Sequence, residues 1–159
     1  MKAASVKQLK DELKACSQPE LLQICLRLSK FKKENKELLT YLIFESEDEA
    51  SFIASVKEEM GDQFKNINSA QSRFIKKGMR KILNGVKKHV RYSGKTETEV
   101  ELLLHFLLAM KGFKPSYTRN RVLENMFNYQ LQIVQKRIST LHEDLQHDYK
   151  REMEELNQN

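Results

Sequence analysis

Cysteine, proline and glycine are scarce in this chain of 159 residues and tryptophan is absent: two Cys, two Pro and five Gly stand against eight Phe and five Tyr. Strands need turns every several residues, so the shortage of Pro and Gly favours long, uninterrupted helices and an all-α fold. Two cysteines are too few for a tetrahedral metal site. Cys16 and Cys25 sit among apolar neighbours and read as reduced thiols packed as small hydrophobes, which suits a cytoplasmic protein. The segment MKAASVKQLKDELK is charged throughout, without the apolar core of a signal peptide, and the most apolar run, Leu102 to Met110, is too short to span a bilayer. Neither export nor membrane insertion is expected.

The strong catalytic signatures are missing as well. There is no Gly-rich phosphate loop, nucleophile elbow, HExxH helix or paired CxxC, so no catalytic residue, cofactor or metal is assigned and the chain reads as a non-enzyme. His142 and His147, near Glu143, Asp144 and Asp148, are five apart, whereas ligands on one helical face need spacings of three or four. His105, inside LLLHFLL, reads as a core histidine satisfied by a neighbour, with a buried general base as the alternative.

What is present is length for one domain and a regular alternation of apolar stripes with charge, the charged residues making up 31% of the chain. Val6, Leu9 and Leu13 give a first short amphipathic helix ending near Cys16. In SQPE, Ser17 caps, Pro19 is tolerated in the first turn and Glu20 completes a capping box, opening a helix from about Pro19 to Lys33. A third helix begins at Asn35; Leu38, Leu39, Tyr41, Leu42, Ile43 and Phe44 nearly encircle it, which predicts burial on most sides. Ser46 and its neighbouring acids start a fourth, carrying Phe52, Ile53 and Val56 and stopping near Gly61. Caps among Asn66 to Ser69 precede a long fifth helix that ends at Ser93-Gly94. The sixth, from Thr96 to Gly112, is apolar on nearly every face and is the expected core helix. Lys114-Pro115-Ser116 precedes a seventh, from about Thr118 to the end.

In that last segment Phe127, Leu131, Val134, Ile138, Leu141 and Leu145 are spaced four, three, four, three, four, a heptad seam. It predicts packing against the protein's own helices, with a homodimeric coiled coil as the alternative. Residues 146–159 are strongly polar and read as a tail that frays or projects into solvent. Seven helices joined by short turns predict antiparallel hairpins, as a helical bundle or a short α-α superhelix, in one domain over 1–159. Subdivision into short helices over 1–62 and long ones over 63–159 stays open, since no linker separates them.

The sharpest functional signal lies between Gln63 and Thr96, where there are ten lysines and arginines and no acid. At 100° per residue, Ile75, Met79, Ile82, Leu83, Val86 and Val90 share one arc, and Arg73, Lys76, Lys77, Arg80, Lys81, Lys87, Lys88 and Arg91 fall on the opposite side. Gly78 and Gly85 form a third strip that predicts close approach of another backbone. Unrelieved cations repel one another, and phosphate backbones relieve that repulsion. Against this, Glu45 to Asp62 carries seven acids and one lysine that could neutralise the basic helix across a hairpin. Three readings follow: a solvated or internally paired face, a nucleic-acid contact, or a contact with an acidic protein or membrane surface. Tyr92 alone is too few aromatics for a stacking platform.

The succession LKDELKACSQPELLQICLRLSKFKKENKELLTYLIFE, continuing more loosely through DEASFIASVKEEM and the basic helix, resembles an uncharacterised family of small helical proteins from Bacteroidota and related bacteria. The resemblance implies a bacterial cytosolic protein with a helical fold and supplies no catalytic residues. The leading expectation is a non-enzymatic helical scaffold or protein-interaction module, with an unknown partner or a second copy; the alternative is a nucleic-acid-associated protein binding phosphate backbone through residues 70–92.

Overall fold

The computed structural model describes residues 2–157. Among the described residues the chain is all-α, with eight α-helices and no strand. It divides into two compact units, Met1–Phe44 and Glu45–Asn159.

The first unit holds α1 (Val6–Ala15), α2 (Gln18–Phe31) and α3 (Lys33–Thr40). Its boundaries follow from local chemistry. The Glu20 carboxylate accepts from the Ser17 backbone N–H at 2.8 Å and from its hydroxyl at 2.7 Å, so the box expected in SQPE forms. The α2–α3 corner is fixed by Asn35, whose Nδ2 donates to the Leu28 carbonyl at 2.9 Å. Burial is where expectation fails. α1, α2 and α3 have no buried residue, and after α3 the chain continues as a π-helical turn, Tyr41–Glu45, in which Tyr41 alone is buried. Leu42 and Phe44 are 55% and 74% exposed. Apolar residues that encircle a helix require neighbours on every side, and within this unit α3 packs chiefly on α2. Cys25 is likewise exposed instead of packed.

The second unit is organised by its most apolar element. It comprises α4 (Glu49–Lys65), α5 (Ser72–Ser93), α6 (Thr96–Gly112), α7 (Arg121–Ile138) and α8 (Glu143–Asn157). α6 has no polar stripe wide enough to face water, and it packs against α4, α5, α7 and α8. Val100, Leu102, Leu103, Leu104, Phe106, Leu107 and Met110 on it are all buried. Each fully buried Leu or Phe contributes about 1.5–3 kcal/mol, so this helix is the energetic centre of the unit. α5 presents the expected arc, with Ile75, Met79, Ile82, Leu83 and Val86 buried, and closes on Gly94 at φ 67°. α4 starts on Asp48, not Ser46, and passes through Gly61 to Lys65, because Met60 and Phe64 continue its buried stripe; Phe64 packs on the Phe106 ring at 5.7 Å.

One carboxylate fastens three helix ends. Glu49 accepts from the Ser93 hydroxyl at 2.5 Å, the Thr98 hydroxyl at 2.6 Å and Lys95 Nζ at 2.8 Å. This satisfies Thr98, a polar side chain that is 0% exposed.

The seventh helix is shorter than its heptads suggest. α7 ends at Ile138 because the Ser139 and Thr140 hydroxyls donate to the Lys136 and Arg137 carbonyls at 2.8 and 2.7 Å, competing with the helix. Glu143 and Asp144 then favour a new helix N-terminus. The seam is thereby split: Phe127, Val134 and Ile138 are buried and Leu131 half-buried on α7, Leu141 lies in the turn and Leu145 on α8. No single helix carries the six residues, so they form no continuous dimer stripe. The segment expected to project as a polar tail is instead α8, which buries Tyr149, Met153 and Leu156. Lys111 Nζ donates to the Leu156 carbonyl at 3.1 Å, and Tyr149 Oη to Glu101 at 3.5 Å. Burial, and then the Glu101 charge, push the Tyr149 phenol upward. Residues 158–159 of the expected tail lie outside the described residues.

Candidate nucleic-acid interface

The candidate site is the outward face of α5, a helix of 22 residues and about 33 Å. Because the apolar arc turns inward onto α4 and α6, the cations are carried to the opposite side by helical geometry alone. Arg73, Lys77, Arg80, Lys81, Lys87 and Arg91 are exposed, and Lys76 and Lys88 are half-buried. The side chains of Arg73, Lys76, Lys77, Arg80, Lys81 and Asn84 splay around one shallow, open depression.

Whether this face is neutralised depends on the acids of Glu45 to Asp62. α4 does pack on α5, but through Val56 and Met60 against Ile82 and Val86, and three of its acids have other partners. Glu49 holds Lys95 at 2.8 Å, Glu59 lies 3.7 Å from His89, and Asp62 meets Lys65 of its own helix at 2.9 Å. Among the described residues, none of Arg73, Lys76, Lys77, Arg80, Lys81, Lys87 and Arg91 makes an ion pair with a carboxylate. Lys88 stands apart, with its Nζ 6.0 Å from the Tyr92 ring. Neighbouring charges about 10 Å apart in water repel by about 0.4 kcal/mol per pair, and an anion laid along the strip relieves several pairs at once.

Aromatic surface comes from a neighbouring helix. Tyr129 of α7, 59% exposed, places its ring 5.9 Å from Lys87 Nζ, and the Arg73 guanidinium sits over the Phe74 ring at 4.7 Å. Tyr129 was not legible as part of this site, because nothing in its local sequence indicates that α7 lies beside α5.

The other candidates are dispersed. Gly78 meets a side chain, with Ile67 Cγ1 at 3.0 Å from a Cβ built on it, and Gly85 meets nothing within 4 Å, so the expected backbone crossing on the glycine strip is absent. His105 is half-buried on α6; burial, and then the charge of Lys57, hold its imidazole below the ordinary range. Lys57 in turn pairs with Glu101 at 2.8 Å. His142 and His147 are exposed and lie near Asp144 and Asp148 respectively, and among the described residues no group of three or more His, Cys, Asp or Glu is arranged to hold a metal ion. No helix of the described residues is long and apolar enough to cross a membrane. Compared with known protein families, curated proteins and solved structures, the chain matches none of them, and the chemistry of the site rests on its geometry.

Proposed function

We propose that the protein binds the phosphate backbone of a nucleic acid along the outward face of α5. The observation that carries this is the row of seven exposed or half-exposed cations without carboxylate partners, beside a helix whose Glu49, Glu59 and Asp62 contact Lys95, His89 and Lys65 instead. Cations aligned over several helical turns suit an extended polyanion better than a small one, since successive phosphates contact successive turns and release condensed counterions. The test is filter binding of DNA and RNA across a salt series. Retention at ~50 mM salt that falls steeply with added salt is expected, and no retention at that salt refutes the proposal. Reversing Lys76, Arg80 and Lys87 to Glu should weaken binding and flatten the salt slope by about 2–3, whereas reversing Lys7, Lys10 and Lys14 on α1 should change little. Equal losses from both sets would remove α5 as the site.

A second reading, that the chain is a protein-interaction module, is favoured by the first unit. A groove of about 270 Å³ between α2 and α3 is lined by Leu28, Leu38, Leu39, Leu42 and Cys25, with Leu28 and Leu42 each 55% exposed. Contiguous exposed apolar surface of this kind marks contact sites. Sedimentation at tens of micromolar tests self-association through it. A dimer dissociated by Leu28→Glu and Leu42→Glu supports this reading, and a monomer throughout removes a second copy as the partner.

A further inference from the structure

Past Asn84 the basic strip opens into a cavity of about 420 Å³ between α5, α6 and α7, within the roughly 300–1,000 Å³ typical of ligand sites. Its wall combines three kinds of surface. Val90, Leu103 and Ile133 supply apolar sides. Lys87 and Arg91, members of the unpaired cation row, stand on the α5 side. The polar side chains are Asn84, Glu99 and Gln130: the Glu99 carboxylate is fixed by Arg137 Nε at 2.7 Å, and Gln130 lies almost wholly beneath the wall.

Gln130 is the informative residue. It is 2% exposed, and among the described residues its Oε1 has no hydrogen-bond partner. A buried acceptor left unpaired weakens the fold, and a ligand that brings a donor removes that penalty. The occupant should therefore present N–H donors to Gln130 and Glu99, flat apolar faces to Val90, Leu103 and Ile133, and negative charge to Lys87 and Arg91. A nucleotide base with an exocyclic amino group, joined to its phosphate, has all three. Tyr129, 5.9 Å from Lys87 Nζ, offers a stacking surface for the adjacent base.

We infer that this cavity takes an amino-bearing nucleobase turned out of a single strand whose phosphates lie along α5. The inference rests on the phosphate-binding reading above and assigns it a strand state and a base preference. Bases read outside a duplex are held in this way, by hydrogen bonds to their edge and apolar cover on their faces. Thymine has no amino group and leaves one acceptor unmatched.

Fluorescence anisotropy of the full chain with oligo-dC, oligo-dT and an abasic sugar-phosphate strand of about 15 residues tests this at one fixed salt concentration. Oligo-dC should bind at least about fivefold tighter than oligo-dT. Gln130→Leu, which keeps the side-chain bulk and removes the orphaned acceptor, should abolish that preference while leaving affinity for the abasic strand unchanged. Glu99→Gln, away from the apolar core, should weaken oligo-dC more than oligo-dT and provides the test if the first variant does not fold. Equal binding of oligo-dC and oligo-dT by the wild type, or a preference that survives both variants, overturns the inference. In that case salt-dependent retention of the abasic strand would still support phosphate binding, whereas loss of every strand would sink both. Free CMP bound as tightly as oligo-dC would also overturn it, because the strand would then contribute nothing.

Discussion

Gly78 and Gly85 lie seven residues apart on α5, and the same substitution should act on them in opposite directions. Replacing Gly by Ala inside a helix gains about 1 kcal/mol from propensity. At Gly85 nothing opposes that gain, since an added Cβ meets no atom within 4 Å. At Gly78 the Cβ would lie 3.0, 3.3 and 3.4 Å from Cγ1, Cγ2 and Cδ1 of Ile67. The two nearest atoms belong to the branched end of a stiff side chain, and the Ile67 N–H donates to the Phe64 carbonyl at 3.2 Å, so relief requires an unfavourable rotamer or a shift of that turn. Overpacking of this kind costs about 1–3 kcal/mol, which offsets the gain or exceeds it by up to about 2 kcal/mol. Gly85→Ala should therefore raise Tm by about 2–4 °C and Gly78→Ala should leave it unchanged or lower it, in melting followed by circular dichroism and checked by urea titration. In an Ile67→Ala background, Gly78→Ala should recover the gain. Equal stabilisation at both glycines in the native background would refute the Ile67 contact, and a loss at Gly85 would show that a neighbour does approach there.

The other expectations concern the joints of the second unit and its response to pH. Glu49→Ala removes the acceptor for Ser93, Thr98 and Lys95 and leaves the buried Thr98 hydroxyl unpaired, so a loss of about 2 kcal/mol is expected in urea titration; a change under about 0.5 kcal/mol would mean the helix ends hold without it. Met153→Ala should cost about 2 kcal/mol if α8 is part of the core, and a negligible cost would return residues 146–157 to the status of a frayed helix. Because burial and the Lys57 charge depress His105 below 6.5, the unfolded chain takes up this proton first as pH falls. Its contribution is complete above about pH 6.5 and is lost as pH falls from there through the folded-state value. His105→Gln should flatten that decline in stability between about pH 7 and pH 5, and an unaltered profile would place its origin in another group.

Elements with strong one-dimensional signals were legible and those that depend on neighbours were not. α6 could be read because apolar residues cover its circumference, and the apolar arc of α5 because a stripe at helical spacing reports its buried side. The break between α7 and α8 could not, since the heptad spacing runs through the turn and only the Ser139 and Thr140 hydroxyls mark it. α8 was obscured because Tyr149, Met153 and Leu156 make a sparse stripe amid charge. The first unit failed in the opposite sense: its apolar spacing predicts burial that a pair of packed helices cannot supply. At the candidate site the cations were readable residue by residue, while Tyr129 and Gln130 were not.

The amino-acid sequence by itself determined that the chain is helical, that α6 lies inside, and that eight cations share one side of α5. These follow from periodicity, which acts within a single helix. Only tertiary packing decided that Glu49, Glu59 and Asp62 meet Lys95, His89 and Lys65 and not the cation row, that α7 brings Tyr129 to Lys87, and that Gln130 is buried with an unmatched oxygen beside two of the cations. Charge is a property of the residue, but whether it is neutralised depends on which helix lies next to it.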